Sequence, residues 1–230
     1  ISPKTEMGKK ITKIVIASIL FLLEIGRMIY RFRYNIYCGQ SASTMNWWGL
    51  INFENCSIVT WVAICTLFAG SFVKKDNKIL QFFYNAMFGC GILGGLLTFV
   101  YPLTISGAYP IYHFSNMQTI ITHILIMTAP ILVVKMGDFK VELKKVWQLI
   151  PYYIIVGCIT LTASMCSGTN FAFTLYINWM YLPIPFPFHV YLLVIVFVAV
   201  AALIKVARIS TINYSVVAKD IEMDAILAVA

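Results

Sequence analysis

Six apolar stretches, each close to bilayer length, fill most of this 230-residue chain, and the lysines gather on every second connection between them. Hydrocarbon offers no partner to backbone polar groups, so an apolar run of about 18 or more residues crosses it as a helix that satisfies its own N–H and C=O groups. The stretches lie near 11–31, 56–73, 79–103, 116–136, 146–167 and 184–207. They predict an all-α, polytopic transmembrane bundle of about six spans. No repeat or composition shift divides the chain, so 1–208 reads as a single transmembrane domain and 209–230 as a cytoplasmic tail.

Charge orients the bundle. Lys4, Lys9, Lys10 and Lys13 precede or open the first stretch, and Lys74, Lys75 and Lys78 separate the second from the third. Lys135, Lys140, Lys144 and Lys145 surround the fourth connection, and Lys205, Arg208 and Lys219 follow the sixth stretch. The segments 104–115 and 168–183 contain no Lys or Arg, and only Arg31 and Arg33 depart from the pattern. Basic loops stay on the cytoplasmic side. The expectation is a multi-pass protein of the cell membrane with both termini in the cytoplasm.

A mean hydropathy of +0.85 with 11% charged residues excludes an ordinary soluble domain. A net charge of +8 would point to nucleic acid in a soluble protein. Here the charge is spread over loops beside apolar helices, so anionic headgroups of membrane lipids are the expected partners and nucleic acid is not. The segment 140–150, KVELKKVWQLI, fits either a helix lying along the inner interface or a basic loop feeding a span. The first stretch is too long for a cleaved signal peptide, carries Glu24 and lacks a small-residue cleavage site. The chain opens on Ile1, which predicts residues upstream and with them room for another N-terminal span. Six cysteines without CxxC spacing read as free thiols, and no cofactor or metal is called for.

Polar groups in hydrocarbon are costly and mark function or pairing. Glu24 and Arg27 lie in the first stretch, Cys56 opens the second, His123 lies in the fourth and His189 early in the sixth. The alternating topology puts all of them in the outward half, with Glu24 and His123 each roughly 10 Å below the outer ends of their helices at 1.5 Å per residue. Glu24 and Arg27 are spaced i,i+3 and suit an ion pair with one another. An intramembrane histidine suits a bridge between helices as well as chemistry, and a buried cysteine suits packing as well as nucleophilic attack. His113 reads as a loop residue, and His113, His123 and His189 together show no zinc-site spacing.

Gly89, Gly91, Gly94 and Gly95 in FGCGILGGLL provide a surface for close helix approach rather than a phosphate loop, since no strand precedes them. The segment 168–183, GTNFAFTLYINWMYLP, is aromatic and uncharged and leads into PIPFPF. It suits an interfacial belt of Trp179, Tyr176 and Tyr181, or a lid over an outward cavity to which Asn170 lends hydrogen bonds.

In order and spacing these elements resemble the YwaF-like family of bacterial integral membrane proteins. The resemblance runs from Glu24 in LFLLEIG through Cys56 in ENCSIVTW to GCGILGGLLTFVYP, which ends at Pro102. It continues with His123 after YPIYHFSNMQTIITH and closes on GTNFAF at 168–173. It covers roughly residues 15–205, and specificity comes from order rather than from any one motif. The chain departs from that family in reading INFEN before the cysteine and Pro102–Leu103 after the glycine-rich stretch. That family is itself similar to a eukaryotic transmembrane phospholipid acyltransferase. The resemblance therefore implies Cys56 as nucleophile and His123 as its partner, in acyl transfer or hydrolysis on membrane lipid. Glu24 would orient the imidazole and Asn170 would support the oxyanion. Two other readings stay open beside the enzyme: a small-molecule-binding membrane subunit of a transporter, and a non-catalytic partner of other membrane subunits docking through its glycine-rich span.

Overall fold

The computed structural model describes residues 3, 5–39, 50–51, 53, 55–100 and 110–167. The sixth stretch at 184–207, the segment 168–183 with Asn170, His189, Pro102 and the tail at 209–230 lie outside the described residues. The described residues are helical, with no strand among them.

Helix α1 covers Glu6–Tyr37 and α2 covers Asn55–Ala69. Helix α3, Lys78–Ala86, passes through a π turn at Met87–Gly91 into α4, Ile92–Val100. Helix α5 covers Phe114–Lys135, and a 3₁₀ turn at Leu143–Gln148 leads into α6, Leu149–Ser167. Three runs are long and apolar enough to cross a membrane: Lys78–Leu96, Phe114–Lys135 and Lys144–Ser167. Helix α2 is apolar but shorter, and α1 is set apart from the three by the charges it carries. The basic segment at 140–150 holds no interfacial helix of its own, only the 3₁₀ turn that feeds α6.

Helix α2 sits centrally, packed against α1, α3, the π turn, α5 and α6. The core follows from helical period. Helix α1 buries Lys13, Ala17, Leu20, Glu24 and Arg27, a single stripe at alternating three- and four-residue spacing. Val59, Ala63 and Leu67 of α2 and Ile126, Ala129 and Val133 of α5 meet that stripe in one continuous apolar cluster with Leu80, Tyr84, Met87, Leu149 and Tyr152. Two side-chain caps start α1 and α3: Thr5 Oγ1 accepts from Gly8 N at 3.1 Å, and Asn77 Oδ1 accepts from Ile79 N and Leu80 N.

The glycine-rich run does its packing inside the chain. A Cβ on Gly91 would lie 2.6 Å from Ile126 O, and one on Gly95 would lie 3.0 Å from His123 O and strike Met127. Pro130, within α5, has no N–H to give the carbonyl four residues back, which is that of Ile126. Gly91 therefore meets a backbone oxygen freed from the helical ladder, and does so at the π turn. Gly91 and Gly95 thus pack on α5, whereas Gly94 has nothing within 4 Å of where a Cβ would be.

Lys13 ties one end of the bundle shut. Its Nζ donates to Asp138 Oδ2 at 2.6 Å and to Gly70 O, which joins α1 to the turns that follow α2 and α5. Because both turns meet Lys13, α2 and α5 run in the same direction. Gln81 Nε2 donates to Asp138 O and Lys75 O, and Asn85 Nδ2 donates to Lys145 O at 2.8 Å, completing a polar frame at this end.

Candidate functional site

Away from the Lys13 end, the interior of the bundle turns polar. Glu24 and Arg27 of α1, Ser57 and Thr60 of α2, and Asn116, Gln118, Thr122 and His123 of α5 are all buried there. Their helices are mutually packed, with the Phe114 ring at ordinary contact distance, 3.5 Å, from where a Gly26 Cβ would be. His113 clasps α1 to the start of α5. Its Nδ1 accepts from Ser115 N as the N-cap of α5, and its Nε2 lies 3.1 Å from Tyr30 Oη. The residue expected to be an inert loop position is thus the clasp between α1 and α5.

Glu24 and Arg27 pair with one another, as their i,i+3 spacing predicts. Arg27 Nε donates to Glu24 Oε2 at 3.1 Å and Nη2 donates to the same oxygen, while Nη2 also reaches Ile51 O at 3.2 Å. Relative exposure is 2% for Glu24 and 7% for Arg27. Mutual neutralisation is what lets both charges be buried, since either alone would carry its full desolvation cost. Arg27 Nη1 has no hydrogen-bond partner among the described residues.

His123 is 5% exposed. Its Nδ1 lies 2.7 Å from Thr119 O, one turn back on the same helix. A carbonyl only accepts, so Nδ1 must carry the proton, and the neutral ring then presents a bare lone pair at Nε2. Nε2 is buried and has no hydrogen-bond partner among the described residues. The imidazole is oriented by Thr119 and not by Glu24, whose carboxylate is held by Arg27 yet lies near enough for its charge to bear on the ring. Sequence reasoning missed Thr119, although the i,i+4 spacing to a histidine was available as a signal.

The geometry also relates His123 to Cys56. Val59 and Ile126 both meet Gly91, with Val59 Cγ1 3.9 Å from a built Gly91 Cβ. Cys56 lies three residues before Val59, and His123 three residues before Ile126, on helices running the same way. Both therefore stand at one height, about 4.5 Å beyond the Gly91 contact toward the polar end. Cys56 is half-buried, its carbonyl accepts from Thr60 Oγ1 at 2.8 Å, and no thiol–imidazole hydrogen bond reaches His123 Nε2. Of the predicted set, Glu24 and His123 are buried on the packed helices α1 and α5, Cys56 is half-buried at the start of α2, and Asn170 and His189 lie outside the described residues.

Chemically this end offers one base with a defined tautomer, one thiol at its height, and one guanidinium N–H left over from an ion pair. A buried donor and a buried acceptor without partners among the described residues are unusual in a packed interior. Among the described residues no group of three His, Cys, Asp or Glu side chains is arranged to hold a metal ion.

No curated protein and no solved structure matches the chain. A family model does, over residues 2–207, nearly all of the chain and the whole of the helical region described above. It is that of a family of membrane proteins, in keeping with the apolar helices. On that match the chain belongs to the TMEM164 family.

Proposed function

We propose that the protein is a membrane-embedded acyl-transfer enzyme acting on lipid, with Cys56 as nucleophile and His123 as general base. The observation that carries the proposal is the His123 ring: proton fixed on Nδ1 by Thr119, Nε2 bare, buried and unpartnered. A base held in this way costs stability unless a substrate completes it. The likeness of the motif order to YwaF-like proteins and to a phospholipid acyltransferase supports the same reading.

In the scheme, Nε2 takes the thiol proton as Sγ attacks the ester carbonyl carbon, forming the C–S bond and an oxyanion. Desolvation resists a lone thiolate, whereas a thiolate–imidazolium pair is neutral overall and tolerates a dry site. Arg27 Nη1 donates to the oxyanion, and Asn170 is assigned the second donor. Collapse breaks the C–O bond, and the imidazolium returns its proton to the departing alkoxide. The acyl-thioester then passes to an acceptor hydroxyl, which loses its proton to Nε2 as the C–S bond breaks and the thiol is restored. In this reading the chain crosses the cell membrane about six times, with cytoplasmic termini and a site in the outward half.

The test is a hydroxylamine-sensitive acyl adduct on protein purified from lipid. The adduct is expected on the wild type, absent from Cys56→Ala, and strongly depleted in His123→Gln. A wild type that forms no adduct and transfers no acyl chain to an added lysolipid would sink the proposal.

A further inference from the structure

Two cavities at the Lys13 end take no part in the reaction proposed above. One, of 550 Å³, lies between the first turns of α1 and the turn after α2, with Tyr84 and Asp138 in its lining. The other, of 630 Å³, lies between α3 and the 3₁₀ turn, and the two share Lys75, Asp76 and Asp138 as a common wall.

Together they are lined by eight lysines and four carboxylates. Three of the carboxylates are consumed in pairs: Glu6 with Lys9 at 2.7 Å, Asp138 with Lys13 at 2.6 Å, and Glu142 with Lys145 at 3.2 Å. Five lysines then face Asp76 alone. Lys10 is held in place 4.4 Å above the Phe72 ring, and Lys74, Lys75, Lys78 and Lys140 are exposed around the rims. Basic side chains spread over a loop would satisfy the positive-inside rule without any concavity. Here they surround two hollows.

A second observation points to a ligand. Tyr84 lines the first cavity, is 1% exposed, and its hydroxyl has no hydrogen-bond partner among the described residues. Gly70 makes room for that hydroxyl, since a Cβ there would collide with it. The hollow thus holds a dry O–H donor below a ring of ammonium groups, an arrangement that calls for an anionic oxygen.

We infer that the paired cavities bind a headgroup carrying at least two phosphate groups, one in each hollow, with Tyr84 donating to the phosphate in the first and Lys75 bridging both. Basic pockets between helices at the membrane surface recognise such headgroups, and the end of the bundle that bears Trp147 is where a headgroup would lie. A lipid and a soluble polyphosphate share this chemistry, and the experiment separates them.

The protein is reconstituted in phosphatidylcholine nanodiscs and titrated with a phosphatidylinositol bisphosphate, binding being read by native mass spectrometry and by the unfolding midpoint. The wild type is expected to retain the lipid and to unfold at a higher temperature with it. Lys74→Gln/Lys75→Gln, both exposed and without packing roles, should weaken binding about tenfold or more, from the loss of two charge-assisted contacts. Tyr84→Phe should weaken binding several-fold while leaving the lipid-free protein as stable as before, a combination that a merely structural tyrosine would not give. Lys135→Gln/Lys144→Gln removes the same charge away from both cavities and should change little. Equal weakening by the two double variants would show diffuse attraction and overturn the inference, as would a wild type that binds neither the lipid nor free inositol polyphosphate. If free inositol polyphosphate shifts the midpoint as far as the lipid does, the site stands with a soluble ligand. If only the lipid does so, the site stands with the lipid.

Discussion

Changing Gly91 to alanine places a methyl carbon 2.6 Å from Ile126 O. Carbon–oxygen contacts settle at about 3.3–3.6 Å, so about 0.7 Å must be found between two backbones. Neither gives easily, since Ile126 is fully buried in α5 and Gly91 lies in a π turn whose residues are all buried. Overpacking of this kind costs about 1–3 kcal/mol. Alanine returns about 0.5–1 kcal/mol through its better helix propensity. The net loss is therefore about 1 kcal/mol, within a span of roughly 0–2.5 kcal/mol. Gly94, three residues on, has open space around a built Cβ, so Gly94→Ala keeps the propensity gain and should stabilise by about 0.5–1 kcal/mol. The two substitutions are the same chemical change within one helical run and should differ in sign. The assay is the unfolding midpoint in detergent, with maleimide labelling of Cys90 as the local reporter, since that thiol is buried beside Gly91. Equal stabilities, or Gly91→Ala as the more stable, would refute the packing argument.

Lys13→Met leaves Asp138 buried without its partner and should cost about 3–5 kcal/mol, whereas Lys13→Met/Asp138→Leu should recover most of it in the same unfolding assay. Asn77→Ala removes the acceptor for Ile79 N and Leu80 N and should cost about 1 kcal/mol, with faster amide exchange confined to the first turn of α3. The exposed pair of Glu6 and Lys9 sets a pH dependence at the start of α1. The hydrogen bond and charge of Lys9 hold the Glu6 carboxyl below its usual range, so the pair supports that turn above the ordinary carboxylate pKa and loses it as pH falls through the lowered value. Glu6 likewise raises Lys9, whose contribution is lost only as pH rises through the raised value. Amide exchange at Lys9 and Lys10 should therefore speed up at acid pH in the wild type and be insensitive to pH in Glu6→Gln, once corrected for intrinsic exchange.

Apolar runs made the helices between residues 78 and 167 legible, because bilayer-length hydrophobicity is a local property. The ion pair of Glu24 with Arg27 was legible for the same reason, as both belong to one face of one helix. The shorter extent of α2 was not, since its apolar composition runs past Ala69 while Gly70 and the turn held by Lys13 stop the helix. Nothing local could pair Lys13 with Asp138, or show that Pro130 frees the carbonyl against which Gly91 packs. At the candidate site, the burial of His123 was foreseeable from its apolar surroundings. Its orientation by Thr119 required only the helical period, and was overlooked because carboxylates are the commoner partners of a working imidazole.

A helix built like α1 emerges from the ribosome long before the chain can neutralise it. Arg27 reaches Glu24 within its own helix, so on the six-span arrangement proposed above that end enters hydrocarbon as a self-contained unit. Lys13 has no such help: its acid lies 125 residues downstream. At about 5–20 residues per second, synthesis takes roughly 6–25 s to deliver Asp138. Through that interval the lysine keeps its charge at the membrane surface, and α1 must ride shallower than its final position. Asp138→Asn should leave it there, which glycosylation-site mapping of the nascent chain would detect as a shift of α1 toward its lysine-bearing end. On that arrangement, biogenesis finishes with a late inward step of the first helix, timed by the arrival of a single aspartate.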